Sequence, residues 1–259
     1  MLTRHHKILF FISILMFMFD SQAESLENKI TLAQQLLQSY QKIETISCEI
    51  QKITKGDRTV RMLSRVVYKH PNFINVENIS PANRRIIVDG KKLYYYQKNA
   101  LKGFSKPIEK LNETWMASVN NIPGTPVEHL LKMKNLPEIK LSGNKDFAIR
   151  VAYKTDTAFV VISCNTPYLL ELIEFFKERD MKNKFAEYKY SKFYKNKNLF
   201  AIPCLHEAYM IMPDGNKIIE KRYIHNLKVN DPVNDHFFNP DLFFKNVEFV
   251  NDFSKTYTN

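Results

Sequence analysis

Glycine is scarce in this chain, with six residues in 259. Gly56, Gly90, Gly143 and Gly215 fall in predicted hairpin turns and Gly103 and Gly124 near bends, so none remains for a phosphate-cradling loop. The sequence also lacks a G-x-S-x-G elbow, an H-E-x-x-H pair and a P-loop. Beyond the N-terminal segment, His70, His129, His206, His225 and His236 are scattered, none with a second ligand three or four residues on. The adjacent pairs Glu128-His129 and His206-Glu207 diverge on a helix or a strand and read as structural. Cys164 has no base placed beside it. These absences point away from an enzyme and from any metal or cofactor.

Cysteine is nearly as rare. With Cys48, Cys164 and Cys204, at least one thiol is unpaired within a monomer. Cys164 and Cys204, both in the C-terminal half, form the candidate bridge, and whether they pair is open. Cys48 alternates with Ile46 and Ile50 and reads as a small buried residue. Long apolar runs are absent except at the N-terminus. There Arg4, His5, His6 and Lys7 precede a core from Ile8 to Phe19, followed by Ser21-Gln22-Ala23. This has the form of a cleaved secretory signal over residues 1–23; a membrane anchor would need about 20 apolar residues. The expected mature chain is one domain, residues 24–259, in a bacterial periplasm. Without Arg4, Lys7 and Asp20 it keeps 36 basic and 26 acidic residues, a net +10. Such an excess suits anionic lipid headgroups or is solvated surface; export argues against nucleic acid. Aromatic residues, at 13%, argue against disorder.

Ser25 to Lys42 carries Leu26, Ile30, Ala33, Leu36, Leu37 and Tyr40 at helical spacing. Two alternating strands follow, Ile43 to Thr54 and Val60 to Lys69. A meander then runs through Phe73–Ile79, Arg85–Val88 and Lys92–Gln97, punctuated by Pro71, Pro81 and Asp89-Gly90. From Leu101 to Pro137 the strand pattern breaks. A helix is predicted over Ile108 to Val119, and a short one over Pro126 to Met133 with Thr125 as cap and Glu128 at its third position. Strands are predicted over Glu138–Leu141, Phe147–Lys154, Ala158–Ser163, Phe185–Tyr194, His206–Met212 and Lys217–Val229. Leu169–Phe176 reads as strand, with helix as the alternative.

The segment from Lys69 to Asn99, KHPNFINVENISPANRRIIVDGKKLYYYQKN, and the tail NDPVNDHFFNPDLFF over Asn230 to Phe244 resemble the LolA-type carriers of outer-membrane lipoproteins and the wider lipoprotein-sorting-like group. The resemblance implies a mainly β fold (α+β): a curved antiparallel sheet forming an incomplete β-barrel, covered by an N-terminal helix and mid-chain lid helices. It also implies a monomeric, non-enzymatic carrier that shields acyl chains of a lipoprotein or lipid. Its partners would be inner-membrane release machinery and an outer-membrane acceptor. A carrier of free lipid or glycolipid and a periplasmic sensor are the alternatives. On this reading the apolar cavity is lined by Ile46, Ile50, Met62, Val66, Phe73, Val76, Ile87, Leu93, Tyr95, Tyr188, Tyr190, Met210, Met212, Tyr223 and Leu227. Lid contacts fall to Ile108, Leu111, Trp115 and Met116. The position of the family's lid-locking arginine is occupied by Asn75, a neutral amide that cannot make the same multidentate contacts.

Overall fold

The computed structural model describes residues 30–112, 122–166, 169–195, 201–212, 214–215 and 217–257. The expected signal segment and lid residues Trp115 and Met116 lie outside these. Helix α1 (Leu32–Tyr40) precedes a six-strand meander: β1 (Thr45–Lys55), β2 (Thr59–Lys69), β3 (Phe73–Ser80), β4 (Arg84–Asp89), β5 (Lys92–Gln97) and β6 (Gly103–Pro107). Helix α2 (Val127–Met133) leads into a second meander. Its strands are β7 (Glu138–Leu141), β8 (Ile149–Lys154), β9 (Phe159–Cys164), β10 (Leu170–Phe176), β11 (Lys184–Lys195), β12 (Ala201–Ile211) and β13 (Lys217–Val229). A 3₁₀ turn (Asp235–Phe238), helix α3 (Pro240–Phe243), the short strand β14 (Phe249–Val250) and a last 3₁₀ turn (Phe253–Tyr257) finish the chain.

All fourteen strands belong to one sheet, ordered β14-β6-β5-β4-β3-β2-β1-β13-β12-β11-β10-β9-β8-β7. The two meanders join where β1 pairs antiparallel with β13, and the edges β14 and β7 do not meet. The sheet is therefore an incomplete barrel, as expected. Among the described residues no helix is long and apolar enough to cross a membrane.

The inner face of the sheet is covered by α1 and α2, which also touch each other. Leu32, Ala33, Leu36, Leu37 and Tyr40 bury one side of α1. Its first turn is held from the sheet: Glu138 Oε2 accepts from Leu32 N at 2.6 Å, and Tyr153 Oη accepts from Ala33 N at 3.1 Å. A carboxylate at these otherwise orphaned amides complements the helix dipole. Ile46, Val66, Leu93 and Tyr95 lie in this core with Ile74 and Phe104, so much of the inner face is solid.

The outer face of the first meander is not bare. Phe73 lies against Phe238 (ring centroids 5.5 Å apart), Tyr96 against Phe244, and Tyr94 against Phe249. The C-terminal segment is thus an aromatic strap. It is fastened at its start by Asn230, in left-handed backbone at φ 60°. Its Oδ1 accepts from Glu44 N and Thr45 N, and its Nδ2 donates to Lys42 O. The strap ends by adding β14 parallel to β6. A Cβ on Gly103 would stand 2.5 Å from the Phe249 ring, so this pairing requires glycine.

Several expectations need correction. Residues 103–107 form a strand, because the strap offers β6 a partner that local periodicity does not reveal. Of the helix predicted over Ile108 to Val119, the described part is a 3₁₀ turn, Ile108–Lys110, followed by extended Leu111; residues 113–119 lie outside the described residues. Thr125 does not cap α2: Pro126 occupies the cap position, and the Thr125 hydroxyl donates to Ile122 O at 2.7 Å. All three cysteines are free. Cys164 on β9 and Cys204 on β12 are three strand positions apart, about 14 Å along the sheet, beyond disulfide reach.

Candidate functional site

The second meander places its inner side chains in rows. Tyr190 on β11 stands opposite His206 on β12, and His206 opposite Arg222 on β13. The next row is Tyr188, Ala208 and Glu220, and the one after is Ala186, Met210 and Ile218. Arg222 in turn stands opposite Lys52 on β1. Tyrosine, histidine and charge thus meet on a face that is otherwise apolar.

Helix α2 roofs these rows. The turn before it brings Gly124 close to β13: at φ 77° it is in left-handed backbone, and a Cβ would stand 2.8 Å from Ile224 Cδ1. Only glycine lets the turn settle there. Thr125, Glu128 and His129 then face Tyr188, Tyr190, His206, Ala208, Met210, Glu220 and Arg222 around a cavity of about 180 Å³. Beyond it, an open cleft of about 1000 Å³ runs out between α2 and β10–β12, with Phe175, Phe185, Tyr188, Met210 and Met212 among its lining. Glu128, His129, Tyr188 and Met210 line both spaces, so they adjoin. At the junction the His129 ring lies 4.5 Å from Tyr188 and 5.7 Å from Phe175. Lys132, Lys177 and Lys184 stand at the cleft.

The charges in the cavity are arranged around Glu220. Lys52 Nζ is 2.5 Å from Glu220 Oε2, and Arg222 Nη2 donates to Oε1 at 2.7 Å. Burial pushes this carboxyl up, but the Lys52 hydrogen bond and the Arg222 charge outweigh it, leaving Glu220 below its ordinary value. It is ionised, and the three groups together carry one net positive charge. His206 is buried, with Nε2 3.0 Å from Pro203 O. Burial, with a smaller push from Arg222, lowers its pKa to about 4. His129 is lowered to about 4 mainly by burial as well. Both imidazoles are neutral near pH 7 and offer hydrogen bonds rather than charge. Tyr190 is 4% exposed, and burial holds its phenol well above the ordinary value. Among the described residues its hydroxyl has no hydrogen-bond partner.

The expected lining divides by position. Tyr188, Tyr190 and Met210 line the inner cavity, and Tyr188, Met210 and Met212 the cleft. Ile46, Val66, Leu93 and Tyr95 belong to the packed core, with Ile50, Val76 and Leu227 against it. Met62 shares their face on β2, opposite Lys52. Three placements are corrected. Phe73 and Ile87 point outward under the strap, in the same phase as Asn75. Tyr223 also points outward. Asn226, at φ 52°, bulges β13, so Ile224 and Leu227 both reach the core while Tyr223 and His225 stay together outside. Ile108 and Leu111 do pack on the inner core.

Among the described residues Asn75 contacts the C-terminal strap and its own sheet. Ile74 and Val76 take the inner phase of β3, so Asn75 faces out and its Nδ2 donates to Phe237 O at 2.6 Å. Arg85 Nη1 donates to Asn75 Oδ1 at 3.2 Å, and its guanidinium lies 4.4 Å from the Phe243 ring centroid. This position fastens the C-terminal strap.

Sequence reasoning missed the polar group formed by Thr125, Glu128, His129, His206, Glu220 and Arg222. One signal was available. His206 shares the alternation phase of Met210, and Glu220 and Arg222 that of Ile224. Polar residues in a buried phase mark either a paired interior or a site.

No protein-family model matches the chain, and no curated protein matches it. Solved structures do. A putative outer membrane lipoprotein-sorting protein domain from Vibrio parahaemolyticus aligns over 81% of this chain and 97% of its own, with TM-score 0.54 and 10% identity. A DUF1329 family protein from Desulfovibrio piger aligns over 82% and 97%, with TM-score 0.51 and 9% identity. A LolA superfamily protein from Nitrosomonas europaea aligns over 82% and 99%, with TM-score 0.48 and 12% identity. With its helix-covered, unclosed sheet, the chain shares the fold of the Vibrio parahaemolyticus and Desulfovibrio piger proteins.

Proposed function

We propose that this protein is a lipid-binding carrier that shelters acyl chains in the cleft between α2 and strands β10–β12. One observation carries this reading: an open space of about 1000 Å³, lined by Phe175, Phe185, Tyr188, Met210 and Met212, lies on the inner face of a carrier-type fold. Each methylene removed from water is worth about 0.8 kcal/mol, so a long chain represents on the order of 10 kcal/mol. A carrier must bury that surface and still release it. Methionine and aromatic walls beneath a two-turn helix suit both tasks, because thioethers repack without a fixed shape. Exported through its N-terminal segment, the protein would carry the acyl chains of lipoproteins across the periplasm to an outer-membrane acceptor.

The second reading is carriage of a free amphiphile. It is favoured by the polar end of the cleft, since the terminal methyl of a lipoprotein's acyl chain has nothing to gain from Glu220, Arg222 and His206.

Native mass spectrometry of the mature protein, isolated from the periplasm without detergent, tests both. An adduct of lipoprotein mass supports the first and one of lipid mass the second. Met210→Asp should reduce acyl binding at least ten-fold while the protein stays folded. A clean apo mass that gains nothing when acyl ligands are added would exclude a carrier.

A further inference from the structure

The inner cavity and the outer cleft differ in chemistry, and the order in which they follow one another has a consequence. The larger apolar walls belong to the cleft, whose lining also carries Lys132, Lys177 and Lys184, and the hydrogen-bonding groups stand together at its inner end. An amphiphile entering tail-first would bring hydrocarbon against Arg222, Glu220 and two imidazoles. One entering head-first meets polar groups at the inner end and leaves its chain along Phe175, Phe185 and Met212.

The inner end is also incomplete on its own. Buried polar atoms are nearly always hydrogen-bonded, since an unmet donor in a dry site is costly. Tyr190 lines the cavity at 4% exposure, and among the described residues nothing accepts its hydroxyl proton. Tyr188 is little better served, with its hydroxyl 3.5 Å from Met210 Sδ. Lys52, Glu220 and Arg222 leave one positive charge uncompensated beside these donors. Glu128, the other carboxylate here, is on the exposed rim with Lys132 at 3.8 Å. Two phenol donors, the neutral His129 and a net positive charge form an acceptor-seeking site, while the N–H of neutral His206 is already given to Pro203 O.

We infer that the inner cavity is a headgroup site for an oxyanion, so that the ligand is a single-chain amphiphile with a carboxylate or phosphate head. This rests on the carrier reading and narrows it: the head is recognised through Tyr190 and Arg222, and the chain by the cleft.

The experiment measures binding of dodecanoate, dodecyl phosphate and neutral methyl dodecanoate to the mature protein by displacement of a fluorescent fatty-acid analogue. At least one anionic ligand is expected to bind about ten-fold or more tightly than the methyl ester, the size of a charged hydrogen bond. The two anions separate a carboxylate head from a phosphate head. Tyr190→Phe, which removes an unpartnered hydroxyl and should leave thermal unfolding no lower, is expected to cut that preference several-fold. Arg222→Gln, with Lys52 still paired to Glu220, is expected to cut it further. Equal affinity for charged and neutral heads, or a preference unmoved in both variants, would overturn the inference and leave the carrier standing. Failure of all three ligands to bind would overturn both.

Discussion

At the scale of single residues, the clearest consequence concerns His206. Its pKa is about 4 in the fold, against about 6.5 when unfolded, because burial disfavours the imidazolium and Arg222 adds repulsion. The unfolded chain therefore binds more protons between those values. Stability is constant above about pH 6.5, falls as pH drops towards 4, and levels off for this group below that. The loss attributable to His206 is about 3 kcal/mol across the window. His129, lowered to about 4 mainly by burial, contributes in the same direction. Glu220 adds its own loss below about pH 4.5, where protonation ends its pairing with Lys52 and Arg222. Urea unfolding between pH 7.5 and 4 should show this slope, and His206→Gln should flatten it. An unchanged slope in the variant would place the titration elsewhere.

At the scale of elements, the turn at residues 122–126 and a two-turn helix decide whether there is a cleft at all. The turn before α2 fits against β13 because Gly124 has neither a Cβ nor a penalty at positive φ. Gly124→Ala should destabilise the protein by about 2 kcal/mol, combining the left-handed backbone with a contact on Ile224. It should also lift Thr125 and His129 from the rows beneath and weaken acyl binding. Thermal unfolding and ligand displacement together test this; a lower melting temperature with full affinity would separate the turn from the site. The elements were largely legible beforehand. Strand alternation gave most of the two meanders, and Asp89-Gly90 and Asp214-Gly215 lie at the hairpins expected for them. The exceptions were segments whose partner is remote. Gly103–Pro107 becomes a strand only because β5 and β14 flank it, and Ile108–Lys110, read from its apolar stripe as the start of a helix, is a 3₁₀ turn followed by extended Leu111.

At the scale of the whole molecule, Asn230 ties three regions together: the α1–β1 junction, the end of β13 and the start of the aromatic strap. Asn230→Ala removes its side-chain hydrogen bonds and puts alanine at φ 60°, at a cost of about 2 kcal/mol. It should also loosen the strap from the outer face of β3–β5, uncovering Phe73, Tyr94 and Tyr96. Faster amide exchange over residues 73–97 is the expected signature. Unaltered exchange with a lowered melting point would confine the effect to the β1–β13 seam.

By itself the sequence determined the fold class, the strand order within each meander and the family likeness, because alternation, turn chemistry and the Pro71–Tyr96 motif are local properties. Tertiary structure decided which phase of each strand faces inward and which residues meet. A bulge at Asn226 reversed the phase on β13, sending Tyr223 outward; the strap turned Phe73, Asn75 and Ile87 into outer-face contacts. Tyr190, His206, Arg222 and Lys52 are separated by up to 170 positions yet form one row, because the last strand of the second meander pairs with the first of the other. Local pattern carries a strand's period, but register across non-consecutive strands arises only when the sheet assembles. That is why an apolar inner face was readable in advance and the polar rows on it were not.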